Sequence, residues 1–449
     1  MRTLLRPRWV YRGGGRVETG TSLLVDGGTV TSLPAATDAG IDAERVELPR
    51  HLVLPGLVNA HTHAGAGPVA RGIAEDLKLA PGTPYYVPLT RLWQLAYQPE
   101  LREGLRAIVR WDLLGMLRTG TTTVVSTSSV DIEGYLDAAE DVGVRTWAGP
   151  ALPMNVAHRL GTLDGDRQRR EDLSPEREQL AELDAFRALH AAHDGRAGGR
   201  IRLLLGPASA HTVEPAVLAG LAKLAAELDC PVTTHLCQSE GELAEVRRKF
   251  DRTPVELLDE AGLLGERLIC AHGTYLPDAD LPRLAASGAV VAHCAVRKVR
   301  EAILPPFGRF AEAGVRMAIG TDAFTTDLVT EVRMAAMLAK IAVGRTDWPD
   351  AATMLDAAVT GPAPALGLRA DLTDGAAADL VAVELAAPES APVFDPLASV
   401  VHYASGHDVD LVMVGGEIRV RDRQLVGVDW AAARAAAEDA CAAVWQRWS

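Results

Sequence analysis

Between residues about 53 and 325 the chain repeats one pattern: a short β-prone apolar run, a polar or glycine turn, then an amphipathic helical stretch. Eight such runs are found, at Val53–His63, Thr121–Ser128, Val144–Ala151, Ile201–Ser209, Pro231–Gln238, Arg267–Gly273, Ala289–Val296 and Val315–Ala323. Helical spacing separates them, as in Leu101–Leu117, Glu214–Leu228, Glu242–Phe250 and Leu328–Ala342; in the last, Val329, Val332, Ala336 and Leu338 share roughly one face. Strands alternating with helices require a parallel sheet, and eight of them predict an α/β fold, a closed (β/α)8 TIM-like barrel, with an open doubly wound sheet as the alternative.

The flanks follow a different period. Ser22–Val25, Val30–Leu33, Ala378–Leu385, Asp410–Val414 and Ile418–Val420 read as short strands set off by turns such as Asp26-Gly27-Gly28 and Gly415-Gly416. The two ends are expected to pair into a discontinuous β-sandwich: residues 1–52 and 366–449, the second part ending in the helix Trp430–Trp448, around a barrel of residues 53–365. An insertion at about 155–200, charged and carrying His158, His190 and His193, predicts a lid or helical hairpin whose histidines are solvated.

Composition narrows the function. A 48% hydrophobic chain of 449 residues has ample core, and a formal net charge of −14 argues against nucleic acid, because phosphate binding needs clustered Lys and Arg. The start Met1-Arg2-Thr3-Leu4-Leu5-Arg6-Pro7-Arg8 lacks the apolar core of a signal peptide, and no later stretch approaches a membrane span, which predicts a cytoplasmic protein without a membrane partner. The five cysteines include no C-x-x-C pair, so a disulfide framework is not expected. Cys237, Cys270 and Cys294 each lie within two positions of a histidine; core packing is favoured over metal ligation for them.

The chemistry is concentrated at strand ends. His61-Thr62-His63 closes the first run, and alternate residues of a strand face one side, so both imidazoles can meet one ion. In a (β/α)8 barrel the reactive groups sit at the C-terminal ends of different strands. Here those ends carry His235 on the fifth strand, His272 on the sixth, His293 on the seventh and Asp322 after the eighth. Three imidazoles and a carboxylate would hold a divalent ion and leave a position for water, whose pKa the ion lowers until hydroxide exists near neutral pH. Asp322 could then take the proton and return it to the leaving group. His272 could orient the water, stabilise a developing oxyanion or act as a further ligand; these roles stay open at this level.

With those residues in view the chain resembles the amidohydrolase superfamily, in particular its guanine-deaminase and triazine-hydrolase branch. The resemblance runs nearly end to end through Pro55-Gly56-Leu57-Val58-Asn59-Ala60-His61-Thr62-His63, Arg71-Gly72-Ile73-Ala74-Glu75-Asp76-Leu77, Leu117-Arg118-Thr119-Gly120-Thr121-Thr122-Thr123, His235, Ala271-His272, Val291-Ala292-His293-Cys294 and Gly320-Thr321-Asp322. It implies a barrel with a composite β-sandwich and one ion held by His61, His63, His235 and Asp322, zinc first, with iron or another transition metal as alternatives. Two-metal relatives use a lysine at the end of strand four; Ile201–Ser209 has none, so one metal is expected. It also implies hydrolysis of small nitrogen compounds, and leaves a homo-oligomer open.

Three departures bear on the substrate. Deaminases of this branch carry a glutamate three residues after the strand-five histidine, where this chain has Gln238, a neutral amide that cannot shuttle a proton but can hydrogen-bond substrate. Glu240 could stand in only after a local shift, and Glu242 matches a second family glutamate. The family histidine after strand four is replaced by Ala208, and its Cys-Pro-x-Ser-Asn becomes Cys294-Ala295-Val296-Arg297-Lys298, with Arg297 and Lys298 expected in a solvated loop rather than on an anionic substrate group. The expectation is a mononuclear metal-dependent hydrolase acting on a C–N or related bond of a small heterocyclic or urea-like substrate. Metal hydroxide is the nucleophile, Asp322 and His272 are catalytic, and Gln238, His272 and His293 contact substrate. The alternatives are hydrolysis of an amide, carbamate, thiocarbamate or non-amino ring substituent, and an inactive binding protein on the same barrel.

Overall fold

The computed structural model describes residues 2–38, 40–78, 87–127, 129–150, 152 and 176–448. Eight parallel strands, labelled β1 to β8, run Leu57–Thr62, Thr121–Ser126, Arg145–Ala148, Ile201–Leu203, Val232–Leu236, Leu268–His272, Val290–His293 and Arg316–Ile319. Each lies inside one of the eight runs marked by the sequence. They form two four-stranded parallel sheets, β1 to β4 and β5 to β8. Isolated parallel bridges Leu205↔Val232 and Ser209↔His235 link the sheets on one side, and Thr62↔Asp322 links β1 to the segment after β8 on the other.

Alternation along these strands separates two cores. Val58, Ala60, Val125, Trp147, Ile269, Val290, Ala292 and Ala318 pack together on one face. Their neighbours Val124, Val232, Cys270, Val291 and Ile319 join the helices in the largest cluster. The helices Arg102–Arg118, Pro215–Leu228, Glu240–Phe250 and Leu328–Val343 fall on the predicted amphipathic stretches. Asp327 caps the last of them, accepting a hydrogen bond from Thr330 N, and Gly344 ends it in the left-handed conformation.

The first predicted run is divided. Glu44–Pro55 is a twelve-residue strand that belongs to the sheet of the chain ends, and β1 starts afresh at Leu57. The break falls at Gly56, where a Cβ would stand 2.1 Å from Thr122 Oγ1, so only glycine lets the chain pass this close to β2. Strands from both ends form a single nine-stranded sheet, in which Glu44–Pro55 pairs in parallel with Thr3–Tyr11 and antiparallel with Leu380–Glu384. Leu5, Val10, Leu23 and Val53 share one core cluster with Leu380, Ala382, Leu411 and Met413. The strands Thr3–Tyr11 and Glu44–Pro55 are longer than the short strands expected; solvent-facing Glu47 and Arg50 interrupt the apolar signal of the second.

The insertion ends in the helix Glu176–His193; its earlier part, with His158, lies outside the described residues. His190 and His193 sit on that helix, 3.8 Å from Asp194 and 3.7 Å from Glu133. No helix among the described residues is long and apolar enough to cross a membrane.

Candidate metal centre

The seam between β1 and β8 builds half of the site. Asp322 N donates to His61 O at 3.0 Å, and Thr62 Oγ1 donates to Asp322 O at 2.6 Å. Inside β1, the Asn59 side chain donates to Thr321 Oγ1 at 2.7 Å and accepts from Thr321 N at 3.1 Å. A Cβ at Gly320 would lie 2.8 Å from His61 O, so the close approach of the two strands depends on that glycine. Register shifts between Asn59 and Thr62, which brings His61 and His63 to the face already used by Val58 and Ala60.

Four imidazoles and a carboxylate converge there. The ring of His61 stands 5.0 Å from those of His63 and His235 and 5.4 Å from that of His272. His63 Nε2 is 3.2 Å from His235 Nε2 and 3.9 Å from Asp322 Oδ1, while His272 Nε2 is 3.6 Å from Asp322 Oδ2. The His–His separation is close to the ~3.4 Å edge of a tetrahedron with ~2.1 Å metal–nitrogen bonds. Donor atoms of His61, His63 and Asp322, and separately of His61, His235 and His272, all lie within 4.8 Å of one another.

Two backbone carbonyls set the tautomers. His63 Nδ1 is 3.2 Å from Thr127 O and His235 Nδ1 is 2.6 Å from Ala208 O. A carbonyl only accepts, so each ring carries its proton on Nδ1 and offers the Nε2 lone pair to the centre. Burial, reinforced by the neighbouring cations, holds His61 and His272 well below the ordinary histidine range and takes His235 to about 4. Burial alone would raise the carboxyl of Asp322, but His63, Arg297, His61 and His235 outweigh it and bring it to about 2. His61, His235 and His272 are therefore neutral near pH 7 beside an ionised Asp322, the protonation states a divalent cation needs.

The donor set fits such a cation. Both ring nitrogens of His61 and of His272 are buried without a hydrogen-bond partner, a state that costs about 1–3 kcal/mol per group unless something else takes the lone pair. His272 and Asp322 also hold φ of 78° and 54°, in a region that bulky side chains rarely adopt, and strain of this kind gathers at functional sites.

Not every candidate joins the cluster. His293 has the parity of Val291, whose neighbours are helices; its ring meets Phe307 edge-on at 5.3 Å, and burial lowers it to about 3. The inward place on β7 belongs to Ala292, so His293 is a packed histidine set apart from the other four. Gln238 follows β5 with its backbone gripped from both sides: Gln238 N donates to Glu242 Oε2 at 2.8 Å, and Lys298 Nζ donates to Gln238 O at 3.2 Å. Neither nearby carboxylate takes over the missing glutamate position. Glu240 is exposed, and Glu242 is bound by its other oxygen to Cys237 N at 3.0 Å. The cysteines are buried and free, and none belongs to a metal-competent group among the described residues.

Arg297 and Lys298 depart from the solvated loop expected of them. They lie within a short helix, Ala295–Val299, and both side chains are almost fully buried. Sequence patterning also passed over Asp112, a buried carboxylate on the helix after β1 that accepts from Gly65 N at 2.9 Å and Arg71 at 3.1 Å, fixing the loop behind His63. A charged residue on the apolar face of that helix was the available signal.

Buried imidazoles and one carboxylate at the ends of parallel strands define a metal-dependent hydrolase. The amidohydrolase family model matches residues 52–419, and the chain belongs to that family. It is 32% identical to a 5-methylthioadenosine/S-adenosylhomocysteine deaminase of Pyrococcus furiosus, over 91% of this chain and 93% of the relative, and 32% identical to one of Nitratidesulfovibrio vulgaris, over 94% and 92%. Among solved structures it is similar to an adenosine deaminase of Xanthomonas campestris with bound zinc, at 29% identity, 99% and 98% coverage and a TM-score of 0.84. It shares its fold with an atrazine chlorohydrolase of Arthrobacter aurescens complexed with zinc, at 22% identity, 98% and 100% coverage and a TM-score of 0.84.

Proposed function

We propose that the protein is a mononuclear hydrolase that cleaves a C–N or related bond of a small nitrogen heterocycle or urea-like compound. The site lies at the mouth of a closed (β/α)8 barrel whose expected start at residue 53 moves to Gly56, because residues 53–55 pair within the sheet of the chain ends; the barrel then runs to 365, with 1–55 and 366–449 as the second, discontinuous domain. The observation that carries the reading is the meeting of His61, His63, His235 and Asp322, from three separate strand ends, with two unbonded nitrogens on His61. These four residues would hold one divalent ion, zinc in the first instance, as in the zinc-bound neighbours. Such an ion supplies Lewis acidity and water acidified to near neutral pH.

The chain's own groups divide the remaining work. His272 faces Asp322 Oδ2 and presents an imidazole to the reacting carbon's substituent, where it stabilises negative charge as it develops. Asp322 takes the proton released when water adds and returns it to the leaving nitrogen, so a C–O bond forms as the C–N bond breaks. Gln238, neutral and held by its backbone, orients the substrate through amide hydrogen bonds. The deaminases among the relatives make an amino-substituted ring the first substrate class to test.

Gln238 also favours a second reading, in which the leaving group is an amide, carbamate, thiocarbamate or other ring substituent that departs without a glutamate. A panel of aminated purines, pyrimidines and triazines, incubated with zinc-loaded protein and followed by mass change, decides between them. Loss of ammonia supports deamination, and loss of another group supports the second reading. Purified protein without a stoichiometric metal would overturn both.

A further inference from the structure

Arg297 and Lys298 are adjacent cations, and the structure turns both toward one acceptor. Arg297 Nη1 lies 2.6 Å from Glu301 Oε1 and its Nε lies 3.5 Å from Asp322 Oδ2. Lys298 Nζ lies 2.9 Å from the other oxygen of Glu301 and 3.2 Å from Gln238 O. The side chains are 3%, 2%, 12% and 6% exposed for Arg297, Lys298, Glu301 and Asp322, so these pairs are shielded from water. Removing such charges from water costs several kcal/mol per ion unless geometry and partners compensate. One carboxylate serving two cations, each with a second acceptor in the site, supplies that compensation.

We propose that Arg297, Glu301 and Lys298 act as one positioning clamp. It holds the carboxylate of Asp322 at the metal centre and ties the loop after β5, through the Gln238 carbonyl, to the loops after β7 and β8. The inference rests on the metal-centre reading above. The guanidinium suits the first task because its fork reaches two carboxylates at once, which an ammonium on a flexible stem does less well. Lys298 suits the second, since its rotatable donors can be shared between Glu301 and a carbonyl. Glu242 grips the amides of Cys237 and Gln238 from the opposite side, so the loop that carries Gln238 is fixed at donor and acceptor alike.

The test measures zinc affinity of metal-stripped protein by competition with a chromogenic chelator, alongside thermal melting, for the wild type, Arg297→Met, Arg297→Lys, Glu301→Gln, Lys298→Met and the Arg297→Met/Glu301→Gln double variant. Loss of a partner that orients a metal ligand weakens binding by roughly 10–100-fold, and that drop is expected for Arg297→Met with partial recovery in Arg297→Lys. The double variant should be no weaker than the worse single one, because both break the same unit. Lys298→Met should keep zinc affinity and raise KM with kcat little changed. Unchanged affinity in Arg297→Met, or additive losses in the double variant, overturns the clamp. If Arg297→Met lacks a cooperative melt, the isosteric Glu301→Gln decides by the same measure. A wild type that binds no zinc instead overturns the metal-centre reading, and the clamp with it.

Discussion

Asn59 and Thr321 exchange two hydrogen bonds across the seam between β1 and β8, from Asn59 Nδ2 to Thr321 Oγ1 at 2.7 Å and from Thr321 N to Asn59 Oδ1 at 3.1 Å. This latch sits two residues before His61 and one before Asp322, so it sets the distance between side chains from the first and last of the eight parallel strands. Asn59→Ala leaves a buried backbone N–H without an acceptor, a loss of about 1–3 kcal/mol. Chemical denaturation should show that loss, with kcat/KM reduced as well because Asp322 is displaced.

Gly320 lies 2.8 Å, through its missing Cβ, from the His61 carbonyl. Gly320→Ala pushes β8 from β1 and should destabilise the protein by about 1–3 kcal/mol, the usual range for overpacking. Zinc titration should show weaker binding too. A variant that melts and binds zinc like the wild type would mean that the strands have room to part.

Metal content follows from the unbonded nitrogens of His61. Metal analysis should find a single equivalent in the wild type and none in His61→Ala. Prolonged chelation should abolish hydrolysis and lower the melting temperature, and added zinc should restore both, since an ion bound only by the folded state stabilises it.

Gln238→Glu places a carboxylate three residues after His235, where it can carry a proton to a ring nitrogen. Ammonia release from aminated heterocycles, followed by a coupled assay, should rise in this variant. No increase on any aminated substrate would show that the loop, held by Lys298 and Glu242, keeps the side chain away from the reacting ring.

His293 contributes to the pH dependence of stability. Burial lowers it from the ordinary 6.5 to about 3 in the folded protein, so below pH 6.5 the unfolded chain binds a proton that the folded chain refuses. Stability from this group is full above pH 6.5 and is lost as pH falls toward 3, by about 1.4 kcal/mol per pH unit. In urea unfolding between pH 6 and 4, His293→Gln should show a slope shallower by about that amount.

The strand ends were legible because each combines an apolar run with a polar residue that a core strand has no other reason to carry. His61, His63, His235, His272 and Asp322 all announce themselves this way. His293 has the same signature and yet faces Phe307, because position at a strand's end does not state which face the last residue takes. Local polarity predicts solvent around Arg297 and Lys298 because it gives no hint of Glu301 and Asp322 closing around them. Gly56 hides inside an apolar run, where only the nearness of Thr122 shows that one strand ends and another begins.

The sequence by itself determined the alternation of strands and helices, the pairing of the chain ends as a separate sheet-forming unit and the histidines and aspartate that stand at the strand ends. Those follow from periodicity and side-chain chemistry, which are local properties. Tertiary structure alone decided which imidazoles share a centre, which oxygen of Asp322 meets which partner, and how buried cations are neutralised. Those depend on distances of a few ångströms between residues up to 262 positions apart, as from Asn59 to Thr321, and such distances are set by register and packing.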